Sequence, residues 1–168
     1  MKTSWLKIII SWLMVIIWMG LIFYLSSMNS YESNQHSKKT ITNVIEKTVD
    51  TTNKFKITDK HPTKEKEEDI TDALNVPLRK VAHASVYFVL AIFVMYALRA
   101  TSSFFDKKTI VAVFLTLLLC ILYAFSDEYH QMFVMGRTGQ FMDVVIDTVG
   151  SIVGVITTIC SRKLFLKK

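Results

Sequence analysis

The sequence is poor in the residues that interrupt helices, with 5 Gly and 2 Pro among 168 residues. It also has long stretches without any charged residue, the first of which runs from Ile8 to Tyr31. Soluble domains of this length carry many apolar residues, but not in uninterrupted blocks long enough to cross a membrane. A helix of about 20 mostly apolar residues spans the ~30 Å hydrocarbon core of a bilayer. These features exclude a soluble enzyme domain of ordinary size.

Four apolar stretches predict an all-α integral membrane protein. The second stretch, residues 81–98, contains only His83 as a titratable group apart from tyrosine. The fourth stretch, residues 144–161, contains a single carboxylate, Asp147. The first stretch is longer than the ~7–15 apolar residues of a typical signal peptide, so we interpret it as a retained helix. We expect one membrane domain over residues 1–168. Its transmembrane helices are expected at about residues 6–27, 80–99, 109–128 and 142–161.

Cysteine is scarce and tight metal-binding spacing is absent. Cys120 and Cys160 both lie in predicted helices, which argues against a disulfide. No HExxH pattern is present, and we expect neither a metal nor another cofactor.

The net charge of +6 comes from Lys and Arg clustered at helix ends, which is typical of membrane proteins. The expected partner is therefore a lipid bilayer and not nucleic acid, and the sequence gives no oligomeric state.

The distribution of basic residues predicts the orientation of the chain. Four helices place both termini on one side, and the positive-inside rule makes that side cytoplasmic. Arg79 and Lys80, next to the second helix, oppose this assignment. The loop at about residues 29–77 would be extracytoplasmic, and its composition favours a charged, weakly ordered linker. The alternative is a short amphipathic surface helix within residues 41–49. The basic residues on the predicted cytoplasmic side are Lys2, Lys7, Arg99, Lys107, Lys108, Arg162, Lys163, Lys167 and Lys168.

The predicted topology brings most of the polar residues of the helices to one membrane face, near its outer boundary. The second helix begins there, the third ends there and the fourth begins there. Helical spacing lets Asp127, His130 and Gln131 share a face, while Glu128 lies about 100° away. Intramembrane polar groups usually face a bundle interior. The candidate polar pocket consists of His83, Tyr87, Asp127, Glu128, His130, Gln131, Arg137, Asp143 and Asp147.

Three interpretations of this pocket remain open. The first is structural pairing of Arg137 or Arg79 with the carboxylates, which would fix helix register. The second is a binding or catalytic site for a polar head group, with a carboxylate-oriented histidine as acid or base. The third is a zinc or harder divalent metal site. Separately, Gly150 and Gly154 form a small-xxx-small pattern that suits close helix packing in lipid.

The sequence resembles the VanZ-like family of bacterial membrane proteins. The resemblance rests on YLSS at 24–27, RKVAH at 79–83, SDEYHQMF at 126–133, GRTG at 136–139 and DVVIDTVG at 143–150. It implies a multipass protein of the bacterial cytoplasmic membrane. The family's namesake is associated with low-level resistance to the glycopeptide antibiotic teicoplanin, while the biochemical activity of the family is not settled.

The resemblance gives one leading expectation and two alternatives for function. The leading expectation is reduced teicoplanin susceptibility, through binding or alteration of an extracytoplasmic ligand, such as a glycopeptide, at the polar pocket. The first alternative is a membrane enzyme acting on a lipid-linked or head-group substrate. His130 would then be the acid or base, oriented by Asp127 and assisted by His83 and Glu128, with Arg137 holding an anionic group. The second alternative is an oligomeric transporter of lipid or solute.

Overall fold

The computed structural model describes residues 5–27, 64–134 and 139–166, and these residues form five helices. Their bounds are α1 Trp5–Ser27, α2 Lys64–Thr101, α3 Ser103–Lys107, α4 Thr109–Gln131 and α5 Phe141–Leu166. Residues 41–49, where a surface helix was considered, and Arg137 lie outside the described residues.

Four of the described helices are long and apolar enough to cross a membrane, as the uncharged stretches predict. The spans are Trp5–Ser27, Pro77–Thr101, Thr109–Gln131 and Phe141–Arg162. With 22 to 25 residues each, they are about 33 to 38 Å long, enough for a ~30 Å core. An α-helix satisfies its own backbone hydrogen bonds, which is the condition for a chain in lipid. Which side of the membrane holds the termini stays a prediction.

The second long helix begins at Lys64, well before the start expected near residue 80. Its added segment is rich in Lys and Glu, which are good helix formers, and it is too polar to register as a membrane span. Pro77 lies within the helix, at the start of the apolar part. Hydropathy therefore locates the membrane-spanning part of α2 but not its beginning.

The surface and interior of the bundle have the polarity expected of a protein in lipid. Large apolar side chains on every long helix are exposed, including Ile16, Phe114, Leu122 and Ile156. A soluble monomer rarely presents so much contiguous apolar surface. The interior, by contrast, contains small and polar side chains. Its buried polar members are Ser11, Ser26, Thr116, Asp127, Glu128, Gln131, Asp147 and Ser151.

The seam between α2 and α5 is the most extensive helix contact in the bundle. At Gly150 an added Cβ would collide with the Ala84 carbonyl group, and at Gly154 it would collide with the carbonyl oxygen of Phe88. The backbones of the two helices thus approach so closely that neither position has room for a side chain. Close backbone approach at small residues is a usual way for helices to associate in lipid.

Helix α1 is attached to the rest of the bundle by side-chain hydrogen bonds at several levels. The Trp18 indole donates to the Val86 carbonyl oxygen at 2.8 Å, and the Tyr123 hydroxyl donates to the Met19 carbonyl oxygen at 2.6 Å. Near the other end of α1, the Trp12 indole donates to the Thr101 hydroxyl at 2.9 Å. These bonds fix the height of α1 against α2 and α4.

The end of the bundle that carries α3 is held together by ion pairs. The Arg162 guanidinium lies 2.8 Å from the Asp106 carboxylate, and the Arg99 side chain lies 4.0 Å from the same oxygen. Ser102 caps α3 by accepting a hydrogen bond from the Phe104 backbone N–H at 3.2 Å. This end therefore brings basic side chains from the ends of α2 and α5, Arg99 and Arg162, to one carboxylate on α3, Asp106.

Candidate functional site

At the opposite end of the bundle, the ends of all four long helices bring a set of polar side chains together. Helices α1 and α4 end there, while the membrane span of α2 and helix α5 begin there. We call the described members of this set the polar cluster: His83, Tyr87, Asp127, Glu128, His130, Gln131, Asp143 and Asp147. Arg137, the ninth residue of the predicted pocket, lies outside the described residues.

Asp127 lies in the interior of the bundle, with 3% of its surface exposed. Its Oδ2 atom accepts a hydrogen bond from the Gln131 amide at 3.2 Å, one helical turn along α4. The Ser26 hydroxyl, at the end of α1, lies near the same carboxylate. The other carboxylate oxygen, Oδ1, is buried and has no hydrogen-bond partner among the described residues. Asp127 is thus oriented on one side and left with an open acceptor on the other.

Asp147, on α5, is the second deeply buried carboxylate, with 2% of its surface exposed. Its Oδ1 atom lies 4.0 Å from Nδ1 of the half-buried His83 on α2. That separation permits an ion pair when the imidazole is protonated, but it is too long for a hydrogen bond. No hydrogen bond to this oxygen is found within the described part of the chain. Asp147 is in electrostatic range of Asp127, so negative charge on one carboxylate disfavours negative charge on the other.

Tyr87 is fully buried near these two aspartates. Its hydroxyl lies in electrostatic range of both Asp127 and Asp147, and it finds no hydrogen-bond partner among the described residues. Its ring is tilted against that of Tyr123, with the centroids 6.2 Å apart. A buried tyrosine hydroxyl usually finds a partner. The group is therefore placed to donate to one of the carboxylates or to a molecule between them.

Glu128 is buried for a reason that helical spacing does not indicate. Although it is rotated away from Asp127 around α4, it is also buried. The reason is the start of α5, which folds over it: the Gln140 backbone N–H donates to the Glu128 carboxylate. Glu128 therefore connects the end of α4 to the beginning of α5.

His130 lies beside α1, and the structure gives it a neighbour that the sequence does not indicate. Its ring lies against the Phe23 ring with a centroid distance of 4.3 Å and a tilt of 38°. The Nδ1 atom is buried and has no hydrogen-bond partner in the described ranges. It remains in electrostatic range of Asp127. His83 also lies close to a buried carboxylate, that of Asp147, and the catalytic role predicted for His130 stays a prediction.

Three neighbours of the cluster escaped sequence reasoning: Ser26, Phe23 and Tyr123. All lie in apolar stretches where periodicity does not distinguish an inward-facing residue from a lipid-facing one. A polar residue such as Ser26 at the end of an uncharged helix is the one signal that points inward. Asp143, which was predicted, is half-buried in the first turn of α5, where the helix dipole favours a negative charge.

The chemistry available to the polar cluster follows from its excess of acceptors. Four carboxylates come together with two imidazoles and a phenol, and buried oxygens of Asp127, Asp143 and Asp147 have no hydrogen-bond donor among the described residues. An ionised carboxylate only accepts hydrogen bonds. Within these residues, no group of three His, Cys, Asp or Glu side chains is arranged to hold a metal ion. The arrangement can bind a donor or positively charged group, or transfer a proton through His83.

The comparisons with known proteins place the chain in a family. A match to the VanZ/LLP1 family covers residues 11–164, so the chain belongs to this family over nearly its whole length. The match includes most of the first membrane-spanning helix, the other three spans and every residue of the polar cluster. No curated protein and no solved structure was found to match the chain.

Proposed function

We propose that this chain is a multipass protein of the bacterial cytoplasmic membrane that lowers susceptibility to teicoplanin. It does so by binding an extracytoplasmic ligand, the antibiotic or a lipid-linked molecule, at the polar cluster. The observation that carries the proposal is the pair of buried carboxylates, Asp127 and Asp147, at one end of the bundle, whose Oδ1 atoms accept no hydrogen bond from the described residues. Membership of the VanZ/LLP1 family supports it.

The distribution of charge supports an outward-facing cluster. The basic residues of the described connection after α2, Lys107 and Lys108, and Arg162 near the end of α5 lie at the opposite end of the bundle. Basic residues in short connections favour the cytoplasm. The cluster would then open toward the outer surface, where glycopeptides act. Arg79 and Lys80 are the local exception to this charge pattern.

Incomplete bonding of the carboxylates favours ligand binding over a purely structural role. Burying an ionised carboxylate is costly unless it is paired and hydrogen-bonded. Among the described residues, nothing donates a hydrogen bond to the Oδ1 atoms of Asp127 and Asp147. A ligand that donates hydrogen bonds to these oxygens would offset the energetic cost of burying them.

The proposal is tested by deleting the gene and measuring susceptibility to teicoplanin and to a glycopeptide that lacks a fatty acyl chain. Teicoplanin is acylated and partitions to the membrane, so we expect the deletion to lower the inhibitory concentration of teicoplanin and leave that of the other compound unchanged. Equal sensitisation to both would argue against a membrane-face mechanism. If the deletion changes the inhibitory concentration of neither compound, the resistance assignment is wrong.

A membrane enzyme acting on a lipid-linked or head-group substrate is the second candidate, and the His83–Asp147 pair favours it. A carboxylate 4.0 Å from an imidazole can orient that ring and stabilise its protonated form during acid–base catalysis. Replacing His83 with Gln keeps the size and polarity of the side chain but removes its titration. An enzyme would lose activity in well-folded His83→Gln, whereas a binding protein would retain most of its protection. His130→Gln is the matched comparison, since His130 contacts Phe23.

A further inference from the structure

An apolar cleft lies beside the polar cluster, between α1 and α4, with α2 as its floor. Its volume is about 530 Å³, within the ~300–1,000 Å³ of typical small-molecule sites. Trp12 and Met19 line it from α1, Val94 from α2, and Leu118 and Leu122 from α4. Because Leu118 and Leu122 are also exposed, the cleft is accessible from the surrounding bilayer.

The length of the cleft suits a hydrocarbon chain. Along α4 it extends from Leu115 to Ser126, which corresponds to about 16 Å of helix. Half of a ~30 Å hydrocarbon core, the part filled by one lipid chain, has a similar length. Its lining is apolar almost throughout, with Ser126 and the Tyr123 hydroxyl toward one end.

That more polar end of the cleft meets the polar cluster. Ser126 immediately precedes Asp127 on α4. Tyr123 lines the cleft and also lies against Tyr87, whose hydroxyl is close to both buried aspartates. A chain lying in the cleft would therefore have its polar head beside Asp127 and Asp147.

The hydrogen-bond acceptors of the cluster indicate the chemistry of the head group. The Oδ1 atoms of Asp127 and Asp147 are buried acceptors without donors among the described residues, and the two carboxylates are close enough to repel each other. A primary ammonium group supplies N–H donors for these acceptors. It also supplies a positive charge that offsets the repulsion between the two carboxylates. An anionic head would add to the repulsion. Arg79 and Lys80, which would favour an anion, lie toward the end of the bundle relative to His83.

We propose that the cleft and the polar cluster form one site for an amphiphile with a long hydrocarbon chain and a primary ammonium group. The chain lies between α1 and α4, and the ammonium group binds between Asp127 and Asp147. The proposal deepens the proposed function by naming the ligand chemistry of the same site. It does not require that the ligand be an antibiotic, and its test uses none.

The test measures quenching of Trp12 fluorescence by brominated chains. The purified full chain is placed in phosphatidylcholine nanodiscs and titrated with dibrominated octadecylamine or with dibrominated octadecanoic acid, which carries the same chain on an anionic head. The signal of Trp12 is the difference between wild type and Trp12→Phe. We expect the amine to reach half-quenching at about a tenfold lower mole fraction than the acid, a factor that corresponds to about 1.4 kcal/mol.

Two carboxylate variants test where the head group binds. The double variant Asp127→Asn with Asp147→Asn should lose the preference for the amine. Asp106→Asn removes the same charge at the other end of the bundle and should keep it. Equal quenching of wild type by the two probes, or stronger quenching by the acid, would overturn the proposal without any variant. So would an amine preference that survives in the double variant.

The binding test and the susceptibility test have independent outcomes, so each can refute its own proposal alone. An amine preference without any change in antibiotic susceptibility would support this site and refute the resistance assignment. Protection against teicoplanin without an amine preference would refute the head-group assignment and leave the resistance assignment standing.

Discussion

Replacing Gly150 with alanine should destabilise the bundle, although alanine is the better helix former. A Cβ at this position would lie 2.8 Å from the carbonyl carbon of Ala84 and 2.9 Å from its Cα, while ordinary contacts begin near 3.4 Å. Both atoms belong to the backbone, so no side chain can rotate away. Helices α2 and α5 would have to separate by more than the 0.6 Å that the carbonyl carbon alone requires, because the carbonyl oxygen of Ala84 lies closer still.

The magnitude follows from two opposing contributions. Overpacking of a close-packed interface costs about 1–3 kcal/mol. Alanine recovers about 0.5–1 kcal/mol relative to glycine within a helix. We therefore expect Gly150→Ala to lower the free energy of unfolding by about 1 kcal/mol, within a range of about 0–2.5 kcal/mol. Because Asp147 and His83 lie within one turn of this contact, their pairing should be disturbed as well.

Gly20 provides the matched control, since an added Cβ there would meet nothing within 4 Å. Gly20→Ala should leave the free energy of unfolding unchanged or raise it by up to about 1 kcal/mol. Both variants are compared with wild type by reversible unfolding in mixed micelles with sodium dodecyl sulfate, followed by circular dichroism. Equal stability of Gly150→Ala and Gly20→Ala would refute the packing argument at the α2–α5 seam.

Two further predictions concern helix attachment and cysteine accessibility. Tyr123→Phe keeps the ring but removes the hydrogen bond to the Met19 carbonyl oxygen, and the same unfolding assay should show a loss of about 0.6–2 kcal/mol; an unchanged value would mean that this bond does not hold α1. In detergent, a maleimide should label the exposed Cys160 rapidly and the buried Cys120 only after unfolding, as measured by mass spectrometry of the two peptides. Rapid labelling of Cys120 in Cys160→Ser would contradict the packing of α4.

The sequence predicts the helical architecture well because lipid imposes a simple rule. Apolar stretches of spanning length must satisfy their own backbone hydrogen bonds in lipid, and each of the four spans overlaps one predicted stretch. The start of α2 at Lys64 escapes this rule, since residues outside the membrane are free to be helical or not. The convergence of polar residues at one end also follows from helix order alone.

The detailed geometry of the polar cluster depends on contacts that no periodicity encodes. Glu128 is buried because the Gln140 backbone N–H reaches it, and this contact arises from the path of the chain into α5. His130 lies against Phe23 because α1 packs beside the end of α4. The small-xxx-small pattern identifies Gly150 as a packing residue, but it does not say which helix it contacts.

The role of the polar cluster is tested most directly by the teicoplanin susceptibility of a deletion strain complemented with wild type, Asp127→Asn or Asp106→Asn, with protein levels matched by immunoblot. The two variants remove one carboxylate each, at opposite ends of the bundle. We predict that wild type and Asp106→Asn restore protection and that Asp127→Asn does not. Full protection by Asp127→Asn at wild-type protein levels would contradict a functional role for this carboxylate and assign it to structure.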